Sequence, residues 1–343
     1  MYAVKSYKIT FIWISLLLIF ALLLNISVGS VNIPLKEVLQ ILIGEESSKS
    51  SWNYIVTNYR VPKAITAVLV GSGLGISGLL MQTLFRNPLA GPFVLGISSG
   101  ASLGVALLIL GSSFFGGLFG TLLLSNWSLA IASSVGAMMV LAAIMFAAAK
   151  IKNTMSILII GLMFGSLTSA IINILSFFSS AEQLQQFLFW SFGSLGNLTW
   201  QELGIFTFIY IIGISLCFFI IKPLNSLLLG ENYAKSLGTN IRKTRNITII
   251  ITCILTGVIT AFSGPIAFIG LAVPHLTKLL YYTSNHKTLI PAVALSGAIL
   301  MLFCDTIAQL PSSEHVLPIN AITSIFGAPI VIWLLTRKRK ISY

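Results

Sequence analysis

The chain has 343 residues, of which 56% are apolar and only 8% charged. A soluble domain carries about 25% charged residues, so these are too few to cover a water-facing surface. The sequence predicts an all-α polytopic membrane protein, with residues 1–343 forming a single transmembrane domain.

Ten apolar stretches approach the length of about 20 residues that crosses the hydrocarbon of a bilayer. They lie near 9–27, 63–83, 92–110, 127–149, 154–178, 202–221, 247–263, 266–282, 288–305 and 317–336. Lys5 and Lys8 precede the first, as in a secretory signal, but the run is as long as a full span and others follow. It reads as an uncleaved helix. Residues 28–62 contain a surface helix, Leu35 to Leu42. In the second span Gly73–Gly78 spells GxGxxG, but no strand precedes it, so the dinucleotide reading fails. Gly71, Gly75 and Gly78 instead form a small-residue face that lets helices approach closely. Arg86-Asn-Pro-Leu-Ala-Gly-Pro92 cannot continue a helix and forms a stiff turn.

Gly96, Gly100 and Gly104 repeat every four residues in the third span, beside Ser98, Ser99 and Ser102. Gly161, Gly165, Ser169 and Asn173 do the same in the fifth. Residues four apart share a helix face, and two readings stay open, a tight packing surface or the polar lining of a pathway. Between the fifth and sixth spans, Gln183 to Phe192 carries Phe187, Phe189, Trp190 and Phe192, which suit an interfacial belt better than a ligand cage. The 222–245 segment holds two apolar-faced pieces, each ended by Leu-Gly, and then a basic run. Helix, break, helix is the expected form, with glycine supplying the stops. Ser263 to His275 is a second interruption, and Pro274, His275 and Lys278 make the eighth span the least regular. Broken helices at membrane depth are tolerated where they line a cavity or are buried in protein, which favours a transporter.

With the N-terminus inside, sixteen of the twenty Lys and Arg residues fall on the inner side. Only Lys36, Lys49, Arg60 and Lys63 fall outside. Basic loops stay cytoplasmic, so both termini are expected in the cytoplasm, and the net charge of +12 needs no nucleic acid to explain it. Asp305 and Lys278 lie at span ends where they can reach the interface, and His275 reads as a hydrogen-bonded structural group. The three cysteines sit singly in apolar segments as small core residues, and no metal constellation is spaced along the chain. There is no Walker motif, no HExxH and no nucleophile–base pair. No chain of intramembrane acids marks an ion-gradient carrier, so that rival and an intramembrane enzyme are both weak. If ATP drives transport, the ATPase is a separate polypeptide.

Several pieces together resemble the permease subunits of ABC importers for ferric siderophores, haem and cobalamin. They are Arg60-Val-Pro-Lys63, Gly78-Leu-Leu-Met-Gln82, Asn87–Pro92, Leu95–Gly104, Trp190–Ser194, Leu229–Gly238, Gly264–His275 and Ile325–Pro329. They run in order from about residue 30 to the end. The resemblance implies a ten-helix subunit in the bacterial cytoplasmic membrane, not an enzyme itself, pairing with a copy or a paralogue around a central pathway. Two ATPase subunits, which bind ATP and Mg, would sit beneath the pair, and a substrate-binding protein above it. It further implies an ATPase-coupling element at Leu228, Leu229, Gly230, Glu231, Ala234, Leu237 and Gly238. Arg60 and Lys63 would receive acidic residues of the binding protein, and Asn87, Leu89, Thr154 and Met155 would form the cytoplasmic gate. Ser98, Ser102, Ser169 and Asn173 are the candidate pathway lining. Gln309 stands where some members carry an outer arginine. A large, mostly uncharged ligand suits such a path, whereas a free metal ion would want carboxylates or histidines along it. Ferric siderophore is the first expectation, with haem and cobalamin behind it.

Overall fold

The computed structural model describes residues 7–45, 47–114, 125–151, 154–310 and 315–336, and among these the regular structure is all helix. In chain order the α-helices are α1 (Lys8–Ser27), α2 (Leu35–Leu42), α3 (Ser50–Ile55), α4 (Val61–Phe85), α5 (Ile97–Ile109), α6 (Asn126–Lys150) and α7 (Thr154–Phe177). There follow α8 (Ala181–Ser191), α9 (Trp200–Leu228), α10 (Glu231–Ser236), α11 (Ile241–Ser263), α12 (Ile269–Tyr281), α13 (His286–Ala308) and α14 (Ile319–Thr336). Seven helical stretches among the described residues are long and apolar enough to cross a membrane, and α5 and α14 are shorter apolar helices. The expected surface helix is α2, with the bounds read from the sequence.

Helix α4 is the axis of the bundle, buried along nearly its whole length. Its glycines explain why. A Cβ built on Gly71 would lie 2.2 Å from the Gly297 carbonyl oxygen of α13, and one on Gly78 would lie 1.7 Å from the Gly270 oxygen of α12. No side chain fits there, so α4 meets both neighbours backbone to backbone. Pro274 contributes to the second contact: having no N–H, it cannot bond the carbonyl of Gly270 four residues earlier, and that is the oxygen lying against Gly78.

The glycines of α5 are used the same way. A Cβ on Gly100 would meet the Gly136 oxygen of α6 at 2.7 Å, and one on Gly104 the Ala132 oxygen at 2.0 Å. Of the two readings for this stripe, close packing holds for the glycines.

Apolar helices of this kind need explicit ends, because their sequences carry few local signals for starting and stopping. Ser125, Ser180, Thr199, Asn240 and Asn285 each accept a backbone N–H in the first turn of α6, α8, α9, α11 and α13, with full capping boxes at Ser180 and Thr199. The C-terminus of α6 is closed by arginines from the start of α11. Arg245 donates to the carbonyls of Ala148 (2.6 Å) and Ile151 (3.2 Å), and Arg242 to Ala149 (3.2 Å). Cations at a helix C-terminus also complement its dipole.

Three boundaries depart from the sequence reading. The third span opens as a 3-10 turn, Pro92–Leu95, and reverses at Gly96 (φ 72°) before α5 begins, so its α-helix is short. The first helical piece of the 222–245 segment is no separate helix but the end of α9, which continues through Pro223 to Leu228. The interruption near the eighth span lies at Gly264–Phe268, upstream of Pro274, which sits within α12.

Candidate functional site

Two opposite ends of the bundle carry the polar chemistry. At the first, α1 ends and α4 begins. Residues Val56–Arg60 form a π-helical turn that runs straight into α4, where Pro62 removes a backbone donor and loosens the preceding turn. This presents Arg60 to the exposed carbonyls at the end of α1. Its guanidinium donates to Ile26 (2.9 Å), Ser27 (2.8 Å) and Val31 and is 8% exposed. A Cβ at Gly29 would fall 2.8 Å from its Nη2, so glycine leaves room for the clamp.

Lys63, one turn on, pairs with Asp305 of α13 at 3.2 Å. The other carboxylate oxygen accepts from Asn25 Nδ2 (2.9 Å) and Gln309 Nε2 (2.8 Å). Asp305 is therefore buried and paired, and does not reach the interface as expected from its place near a span end. Gln309 has a role that the sequence did not suggest, orienting this carboxylate. Arg60, Lys63 and Gln309 line a cleft of about 320 Å³ together with Tyr59, Gly196 and Val316. Arg60 and Lys63 stand in its wall with Asp305 buried behind Lys63, one net positive charge among the three, but the Arg60 guanidinium is already engaged by backbone carbonyls rather than standing free for a partner.

The second end carries the helix–break–helix element. Gly230 (φ 106°) stops α9 and Gly238 (φ 79°) stops α10, as the Leu-Gly pairs require. The short α10 buries only Ala234, while Leu229, Tyr233 and Leu237 are each more than half exposed. Leu228 and Glu231 flank the break half-buried. An ideal Cβ on Gly230 would lie 3.8 Å from Arg86 Nη1, so this element stands beside the turn that follows α4.

That turn is held from within and without. Arg86 adopts a left-handed conformation (φ 47°) that ends α4. Asn87 Oδ1 accepts from Leu89 N at 2.9 Å, an Asx-type turn. The Pro88 carbonyl lies 2.9 Å from His275 Nε2, which makes His275 a structural donor. Leu89 is exposed. Beyond the turn, Gly161 of α7 packs against the backbone of Leu95, with an ideal Cβ 2.8 Å from its Cα. Met155 is exposed at the start of the same helix, which Thr154 opens; the Thr154 side chain lies outside the described residues.

Helix α7 has an open face along its length, on which Met155, Ile159, Leu162, Ser166, Ser169 and Asn173 are all exposed. Two of the expected lining residues, Ser169 and Asn173, stand on it. Ser102 is half-buried on α5. Ser98 is buried in the packed core and is not on the open face. Of the expected aromatic belt, Phe187 is buried against the ends of α5 and α7, while Phe189 and Phe192 are exposed.

Comparison with known proteins adds a family to this geometry. The chain is 34% identical over 328 residues to the vitamin B12 import system permease protein BtuC of Salmonella arizonae, covering 95% of this chain and 94% of the relative. It is 34% identical over 329 residues to BtuC of Klebsiella pneumoniae, covering 95% and 93%. A solved structure, an inward-facing conformation of a metal-chelate type ABC transporter, superposes with a TM-score of 0.83 at 28% identity, over 96% of this chain and 99% of that one. The family model described as the FecCD transport family matches residues 17–337, so the chain belongs to that family, as an ABC importer permease of the BtuC type.

Proposed function

We propose that this chain is the membrane-spanning subunit of a binding-protein-dependent importer that moves a chelated metal compound across the bacterial cytoplasmic membrane by ATP-driven alternating access. The observation that carries the reading is α10. A short helix between two left-handed glycines presents Leu229, Tyr233 and Leu237 to water, at the end remote from the basic cleft. Three exposed large apolar side chains within the nine residues 229–237 suit insertion into a partner, and the chain has no nucleotide motif of its own. The partner is an ATPase subunit, one beneath each of two permease chains, binding ATP with Mg. The bias of basic residues puts α10 and both termini in the cytoplasm.

The remaining roles follow from that placement. The turn at Asn87 and Leu89, with Thr154 and Met155 at the start of α7, forms the cytoplasmic gate. The open face of α7, with Ser169 and Asn173, and Ser102 beside it, lines the pathway and meets the second permease chain, a copy or a paralogue. Ser98 drops out of the lining because it is buried. The substrate-binding protein docks over the cleft of Arg60 and Lys63, drawn by its net positive field, which chiefly steers and orients an acidic surface. With Arg60 engaged by three carbonyls, that guanidinium shapes the dock more than it pairs across it.

Among chelates, the names of the relatives favour cobalamin over the ferric siderophore expected from the sequence, and haem belongs to the same class of large, shielded ligands. Uptake of labelled cobalamin, haem and ferric siderophores in a strain lacking this chain, with and without its re-expression, decides among them. Uptake that survives ATP depletion and collapses with an ionophore would overturn the importer reading itself.

A further inference from the structure

One polar chain, buried at His286 and Thr83 and partly open at Asn225 and Asn285, joins the two parts of the inner end that the proposed mechanism must couple. Asn225 lies in the last turns of α9, just before the break that precedes α10. Its Oδ1 accepts from the backbone N–H of His286 at 2.9 Å, and its Nδ2 donates to Asn285 Oδ1 at 3.0 Å. Asn285 Oδ1 in turn accepts the backbone N–H of Lys287 at the start of α13. Backbone donors thus fix which amide atom is oxygen in both asparagines. His286 Nδ1 lies 2.7 Å from the same Asn225 oxygen and must therefore carry a proton. The other ring nitrogen, Nε2, lies 2.8 Å from the Thr83 hydroxyl, one turn before Arg86 ends α4. The imidazole is fully buried and Thr83 nearly so. Arg86 lies close by, its Nη1 3.8 Å from where a Cβ on Gly230 would stand.

We propose that Asn225, His286 and Thr83 form a strut that fixes the base of the α9–α10 element to the last turn of α4, so that a displacement of α10 is carried into the turn at 86–91. This inference rests on the reading of α10 as the ATPase seat and of that turn as the gate. The three are positioning residues that touch no ligand. A histidine suits the place because its Nδ1–H donates to Asn225 while its bare Nε2 accepts the Thr83 hydroxyl proton, for which the Leu79 carbonyl 2.9 Å away competes, so one flat ring ties two helices together. Without the strut, α10 would be joined to the turn at 86–91 only through the packing of α9 and α11 against their neighbours.

Thr83→Val removes the hydroxyl while keeping the side-chain shape, Thr83→Ser restores it, and Asn225→Leu cuts the other end. The permease, its ATPase and its binding protein are reconstituted in liposomes, and hydrolysis and cobalamin or ferric-siderophore uptake are measured separately. Thr83→Val and Asn225→Leu are expected to keep ATP hydrolysis within about twofold while uptake per ATP falls about tenfold, the scale of losing one buried hydrogen bond. Thr83→Ser should recover most of it. Equal loss of hydrolysis and uptake, or unchanged coupling in all three, overturns the strut. A second measurement does not depend on the partners. Nitroxides at Ser236→Cys and Phe93→Cys report the distance between α10 and the segment after the turn. A distribution that is narrow in wild type and Thr83→Ser and broad in Thr83→Val and Asn225→Leu supports the strut, and equal widths refute it. Failure of the wild-type chain to assemble with any ATPase would instead remove the reading of α10, leaving the label distances to judge the strut.

Discussion

Replacing Lys63 by methionine tests whether the polar cluster at the first end is a buried ion pair or a solvated one. The Lys63 side chain is 17% exposed and that of Asp305 3%, so the substitution strands a carboxylate that water hardly reaches. Breaking a buried pair from one side costs about 3–5 kcal/mol. Here Asn25 and Gln309 remain bonded to the carboxylate, and such charge-assisted bonds at ~1.5–3 kcal/mol each keep part of its solvation. The expected loss for Lys63→Met is therefore at the lower end, ~2–3 kcal/mol. Asp305→Asn should cost less, ~1 kcal/mol, because the lysine left behind has a route to water. In the double variant no charge is stranded, and the Asn25 and Gln309 amides can turn over to meet the new side chain. Its stability should sit within ~1 kcal/mol of wild type, giving a coupling of about 2–4 kcal/mol. Unfolding in mixed micelles by added SDS, followed by circular dichroism, measures each corner of the cycle. A single-variant loss below about 1 kcal/mol, or strictly additive losses, would refute the assignment of a buried pair.

Gly78→Val should prevent recovery of folded protein from membranes, since its first added carbon would overlap the Gly270 oxygen, whereas Gly204→Ala, where nothing lies within 4 Å, should gain up to ~1 kcal/mol of helix stability; thermal melts in detergent compare the two. Leu229→Asp with Leu237→Asp should leave the melting temperature within a few degrees, both side chains being exposed, yet abolish co-purification of the ATPase subunit. Ser48 donates through its hydroxyl and backbone N–H to Glu37 and holds that carboxylate below its usual value of 4.5. A lowered folded-state value means that the contact is present at neutral pH and lost as acid is added below the ordinary carboxylate range. Exchange at the Ser48 amide, corrected for its intrinsic rate, should stay flat from pH 8 to about 5 and accelerate below that.

Seven of the ten expected spans were legible because each is an apolar run of membrane length, and α2 because its apolar residues fall on a helical face between Pro34 and Gly44. The stops at Gly230 and Gly238 were legible because a left-handed residue there all but demands glycine. What escaped was pairing at a distance. Arg60 looked like a free outer cation, and nothing local shows that the end of α1, some thirty residues earlier, would deliver three carbonyls to it. Nothing in the sequence singled out His286 or Asn225, because their meeting depends on how α9 and α13 pack. Pro274 looked like the breaker of its span, yet the carbonyl it leaves unbonded rests on Gly78, a glycine nearly two hundred positions away. Single residues announce local backbone needs, while these contacts are set by tertiary packing.

The extended segment Gly264–Phe268 has a consequence for how this subunit can exist in a bilayer. Gly264 lies against Gly193, in the connection between α8 and α9, whereas Gly270 touches α4 at Gly78, about 10 Å along the axis from the far end of that helix. Part of the depth of the bundle is therefore crossed by unwound chain, whose residues 265–268 are partly open at the surface of the lone subunit. Within it the Ala267 amide donates to Asn320 Oδ1 of α14, the Gly264 amide donates to Thr260, and the Ala267 and Phe268 carbonyls accept from α12. Hydrocarbon cannot solvate the remaining peptide groups, so lipid tails are barred from this flank, which must face either water or another polypeptide. A solitary subunit dissolved in lipid would be an incomplete object, and its lifetime in a membrane should depend on how soon that flank is covered.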